Sequence, residues 1–188
     1  MHRSIGLSLA AGFFFSLLAA LPLQAQTKKW SDVDCATLDI VLPGATKCRT
    51  TDPYAGPDGR GTFINQTASF ANEKERAYAC VDKPHVNLYS GGIAVTAESR
   101  EKFLSRPSAD AGKSGTNFSA TLKVSNGYVK TFVLPGDWQC FSFVKDAPPG
   151  GHSYGFAFYL AGYDCKKSAR VPDEKAMTGF IQSISLKL

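Results

Sequence analysis

The stretch 77–85 reads AYACVDKPH and sets a thiol, a carboxylate and an imidazole within six residues: Cys80, Asp82 and His85. These are the groups of a cysteine nucleophile, an orienting acid and a general base. In an extended chain, side chains alternate between faces. Tyr78, Cys80 and Asp82 then share one face, and Ala79, Val81, Lys83 and His85 share the other. The separation of Cys80 from His85 is odd, so a continuous strand points them apart. Pro84 ends or breaks the strand and is the residue that could spoil that parity. His152 could supply a base from elsewhere in the chain, because catalytic partners are neighbours in space rather than in sequence. The simpler reading is a structural Cys80, bridged or buried, and Cys80 is also the candidate free thiol.

Other chemistry-bearing patterns are weaker. His85 and His152 sit in no HxH or HxxxH pattern, and the cysteines contain no CxxC pair, so no metal ligands are assigned and no cofactor is expected. Asp52 and Asp58 lie in DPYAGPDGRG, but the third and fifth positions of an EF-hand loop would be Tyr54 and Gly56, which supply no side-chain ligands of the required kind. Pro-Asp-Gly there reads as a turn. There is no GxSxG elbow, no SxxK and no glycine-rich phosphate loop. Asn65-Gln66-Thr67 and Asn117-Phe118-Ser119 match the N-glycosylation pattern, which matters only in a host that glycosylates.

The chain begins MHRSIGLSLAAGFFFSLLAALPLQAQ. A basic residue, an apolar run and a small residue at Ala25 are the layout of a secretory signal peptide with cleavage after Ala25. The expected organisation is a signal peptide over 1–25, a loose polar arm over 26–37 and a single globular domain over 38–188. Removing 1–25 takes away Arg3 and no acid, so the net charge falls from +5 to +4. No second apolar run is long enough to span a bilayer, so no membrane span is expected after cleavage. The cations are scattered, with the densest group at Lys166, Lys167 and Arg170, and such a pattern is no nucleic-acid footprint.

All five cysteines lie beyond the signal segment, where export allows disulfides to form and persist. Five is odd, so at most two bridges form within one chain. The preferred pairs are Cys35 with Cys48 and Cys140 with Cys165. Cys48 with Cys80, leaving Cys35 free, is the alternative.

The elements that must position these groups are short strands with tight turns. Residues 38–42, 62–70, 77–82, 138–144 and 153–160 read as strands, and Ser90-Gly91-Gly92 is a hairpin signal. Residues 49–61 read as an irregular loop and 98–105 as one or two helical turns. Asn126-Gly127 reads as a two-residue type I′ turn. That turn sets Val124 opposite Val129 and Lys123 opposite Lys130, with one apolar face and one polar face carrying Tyr128 and Phe132. After Pro172, Met177, Phe180, Ile181 and Ile184 fall at helical spacing, and ISLKL could finish as an edge strand. The expected fold is α+β: an antiparallel, Phe-rich twisted sheet with a C-terminal helix packed on one face. A two-sheet β-sandwich is the alternative.

Aromatic residues are unevenly distributed, with eleven in 118–163. Either they build a core on both faces of a sheet, or some form a contact platform. The candidate binding residues are Tyr128, Phe132, Lys123, Lys130, Trp138 and Tyr159. Together these features point to an exported, periplasmic or secreted, non-catalytic binding protein of the bacterial cell envelope. Its partner would be an envelope protein or a glycan. A small envelope hydrolase acting on glycan or peptide is the alternative, and it would need His152 or a buried acid in a cleft.

Overall fold

The computed structural model describes residues 28–55, 62–85, 96–106, 115–145 and 159–187. The signal segment, Asp58, the Ser90-Gly91-Gly92 hairpin, His152 and the strand expected at 153–158 lie outside them. In chain order the strands are β1 (Trp30–Val33), β2 (Ile40–Val41), β3 (Lys47–Thr51), β4 (Tyr54–Ala55), β5 (Thr62–Ala71), β6 (Glu75–Pro84), β7 (Leu122–Val124), β8 (Gly127–Leu134), β9 (Trp138–Lys145), β10 (Tyr159–Lys167) and β11 (Ser185–Leu186). The helices are α1 (Ala97–Ser105) and α2 (Glu174–Ser183), and a 3₁₀ turn covers Cys35–Thr37.

Nine strands form one antiparallel sheet in the order β1-β3-β5-β6-β10-β9-β8-β7, with β4 paired to β5; β11 and β2 form a separate ribbon. The sheet-dominated antiparallel fold expected from the turn pattern is therefore present. The β5–β6 turn follows from Asn72, whose side-chain oxygen accepts from the N–H groups of Lys74 and Glu75 at 2.8 Å each. That local bond is what suits Asn to turns. The β8–β9 turn places Gly136 and Asp137 at φ 84° and 63°, a conformation natural to Gly and tolerated by Asp.

Both faces of the sheet are covered. On one face, Val81, Val129, Phe141, Phe143 and Leu160 join Met177, Ile181 and Ile184 of α2 in a single buried cluster. Phe180 meets Phe141 edge-on at 5.6 Å. Asp173 caps α2, its carboxylate accepting from the N–H of Ala176 at 2.8 Å. On the other face, Leu104 of α1 is buried with Cys80, Val144 and Ala161. Ser142, fully buried, fixes α1 there by donating to the carbonyl of Leu104 at 2.5 Å. Further along that face, Phe132, Trp138, Cys140 and Cys165 form their own cluster.

Four details differ from the sequence reading. Trp30–Val33, read as part of a loose arm, pairs with β3 as an edge strand. Residues 49–55, read as loop, contain the end of β3 and the short β4. Residues 159–167 form β10 at the centre of the sheet, where the sequence pattern placed a strand ending at 160. The β7–β8 hairpin closes one step earlier than Asn-Gly suggested: Val124 faces Gly127 and Lys123 faces Tyr128. The reason lies in β9. A Cβ on Gly127 would stand 2.2 Å from the carbonyl oxygen of Val144, so this glycine is needed inside the sheet, where β8 approaches its neighbour.

Cys35–Cys48 and Cys140–Cys165 are disulfides, and Cys80 is free and buried. Cys140 and Cys165 occupy directly opposed positions of β9 and β10.

Candidate functional site

Strand β6 delivers Tyr78, Cys80 and Asp82 to the face covered by α1. Their neighbours in β5 and β10 follow from register: Thr67 and Ala161 flank Cys80, while Asn65 flanks Asp82. Asp82 accepts a hydrogen bond from the Tyr54 hydroxyl at 2.8 Å and another from the Asn65 side-chain amide. Burial pushes the Cys80 thiol up to about 12, and the Asp82 charge pushes the same way; the Tyr78 hydroxyl bonded to it opposes the rise. At neutral pH Cys80 is a protonated thiol, and the thiolate is the reactive form. His85 is exposed beyond the end of β6, and among the described residues no hydrogen bond or ion pair links it to Cys80 or Asp82. Cys80 and Asp82 thus join Tyr78 in a phenol–thiol–carboxylate row, and His85, the base of the suggested set, is not part of it. Burial also raises Tyr54 and Tyr78 far above the ordinary phenol range, so both remain donors.

A second cluster is built where α1 lies over β8, next to β7 in the hairpin. Arg100 places its guanidinium 3.8 Å from the centre of the Tyr128 ring, and Lys123, opposite Tyr128 in the hairpin, stands 5.8 Å from it. Both distances lie in the range of cation–π attraction. Glu101, one position along α1, accepts from Thr121 at 2.7 Å and pairs with Lys130. The Lys130 hydrogen bond holds the Glu101 carboxyl below the usual carboxylate range. Glu101 thereby neutralises Lys130. Among the described residues neither Arg100 nor Lys123 has an acidic partner. The cluster therefore presents a half-buried ring and two cations without acidic partners.

The six residues singled out by composition separate under this geometry. Tyr128 and Lys123 belong to the surface cluster. Lys130 is beneath it and ion-paired. Phe132 is 2% exposed and stacked on Phe118 at 5.0 Å, and Trp138 is buried with Arg76 over its ring at 4.2 Å. Phe132 and Trp138 are core residues and present no contact platform. Tyr159 opens β10, and its side chain lies outside the described residues. Sequence reasoning passed over Arg100 and Glu101, which sit in a short helix of low apolar content. The alternation of acids and bases in ESREK was the available signal.

Among the described residues one acid is buried. Asp164 is 2% exposed, on the sheet face it shares with Ala77 and Phe141, and its Oδ1 has no hydrogen-bond partner among the described residues. Burial pushes it up to about 6, with a smaller contribution from Glu75 and opposition from Lys166. It lies between apolar neighbours in the sheet. Among the described residues no three His, Cys, Asp or Glu side chains converge as a metal site. No helix among them is long and apolar enough to cross a membrane.

No family model matches the chain, and no curated protein or solved structure is significantly similar to it.

Proposed function

We propose that this is an exported, non-catalytic binding protein of the bacterial cell envelope, whose partner, a protein or a glycan, carries anionic groups. The observation that supports this most is the convergence of Arg100 and Lys123, from different elements, on one Tyr128 ring without acidic partners among the described residues. Two cations and a π-face held in fixed positions favour a carboxylate or phosphate bearing partner, because less side-chain freedom is lost on binding. The mild positive charge of the whole chain works in the same direction. Two disulfides and the signal-like N-terminus support export to a periplasmic or extracellular setting.

The test is a photo-activated cross-linker at position 123 of the protein expressed in its own envelope. A discrete adduct from position 123, absent when the cross-linker stands at exposed Lys187, is the expected result. Equal labelling from both positions, or none from 123, would count against the proposal.

A further inference from the structure

A groove of about 610 Å³ opens between α2 and the β7–β8 turn, lined by Ser125, Glu174, Lys175, Thr178, Gly179 and Gln182. It lies on the α2 side of the sheet, across the hairpin from the Tyr128 cluster. Its volume falls within the range of small-molecule sites, about 300–1,000 Å³. Residue 179 is the informative position. A glycine inside a helix lowers helix stability relative to alanine, so it needs a reason. Conformation gives none, because the left-handed glycines of the described residues are Gly44, Gly127 and Gly136. Packing gives none either, because a Cβ built on Gly179 meets nothing within 4 Å. What the glycine does is leave bare backbone as the floor of the groove, where a side chain would stand in the way of a bound molecule.

The walls say what kind of molecule fits. Thr178 and Ser125 offer hydroxyls, Gln182 offers both a donor and an acceptor, Glu174 offers a carboxylate and Lys175 an ammonium group. Among the described residues none of these five side chains is engaged in a hydrogen bond or ion pair. Charges of both signs at the rim disfavour a ligand of single charge. They suit a neutral molecule that donates and accepts at many points. We infer that this groove is a saccharide-binding site, with Gly179 admitting the apolar face of a sugar ring and Glu174, Lys175, Thr178, Gln182 and Ser125 meeting its hydroxyls. This site is separate from the Tyr128 cluster and stands or falls without it.

The experiment is an amide NMR titration of the disulfide-bonded protein with chitobiose and with cellobiose. Saturable shifts at 125, 174–175, 178–179 and 182, with a dissociation constant on the order of millimolar, are expected for at least one sugar. Gly179→Leu fills the groove and should weaken that binding by about tenfold or more. The same substitution leaves the melting temperature unchanged or raised, because the position is open and Leu favours helix. Gln182→Ala should weaken binding without altering the fold. Absence of saturable shifts at these residues with either sugar would overturn the inference, and so would undiminished binding by folded Gly179→Leu.

Discussion

Asp164 places a carboxyl where water does not reach, and the fold must respond to its protonation. Its pKa is raised by burial from 3.8 to about 6. The folded state therefore holds a proton that the unfolded chain releases at lower pH. Stability from this group is complete below about 4 and is lost as pH rises through about 6, to the extent of roughly 2–3 kcal/mol. Denaturant unfolding between pH 4 and 7 should show the decline, and Asp164→Asn should flatten it. Cys80 behaves in the opposite register of reactivity. With its thiol pushed up to about 12, the folded, unreduced protein should react slowly with a thiol reagent at pH 8. Unfolding without reductant should release one reactive thiol, mapping to Cys80. Rapid labelling of the native protein would contradict the packed row. At this scale the sequence was informative: strand parity alone separated Cys80 from His85. It could not reveal Asp164, because nothing in GYDCKK distinguishes a buried acid from an exposed one until the strand is placed at the sheet centre.

Among the elements, α2 is held at both ends by side chains. Asp173 caps its start, and Lys145 of β9 donates to the carbonyls of Ile184 at 2.7 Å and Ile181 at 3.4 Å at its end. A cation there meets the negative end of the helix as well as its unpaired carbonyls. Lys145→Met keeps the aliphatic stem and removes the donor. It should cost about 1 kcal/mol, read as a lower urea midpoint with unchanged slope. In β10, a Cβ on Gly162 would stand 2.0 Å from the Tyr78 carbonyl oxygen, so Gly162→Ala should be far more damaging than an ordinary strand substitution. The helix after Pro172 and the strands β5, β6 and β9 were legible because apolar spacing or turn residues mark them. The hairpin register was not. Asn-Gly is a strong local turn signal, but here the glycine is demanded by the neighbouring strand, a contact made only after folding. The resulting shift places Lys123 beside an aromatic ring instead of another lysine, which removes a like-charge pair.

For the molecule as a whole, two cross-links bracket different parts of the sheet. Cys35–Cys48 ties the N-terminal turn to β3, and Cys140–Cys165 joins neighbouring central strands, with sequence separations of 13 and 25. Each loop closure is worth about 3 kcal/mol in the chain-entropy view, so full reduction should lower the melting temperature by roughly 10 °C or more. The pairs present are the preferred ones, each joining cysteines near in sequence, but sequence alone left Cys48 with Cys80 as an alternative. The aromatic excess was misleading in one respect. Among the described residues Phe132 and Trp138 lie in the core, and of the six candidate residues Tyr128 and Lys123 belong to the surface cluster. Binding of anionic partners at that cluster is best measured by titrating the protein with poly-L-glutamate, polygalacturonate and neutral dextran at low salt. The expected result is binding to at least one polyanion, weakened by salt and by about tenfold or more in Arg100→Glu/Lys123→Glu, with dextran inert at this cluster. Equal polyanion binding by the native protein and the double variant, or no polyanion binding at all, would contradict the proposed function.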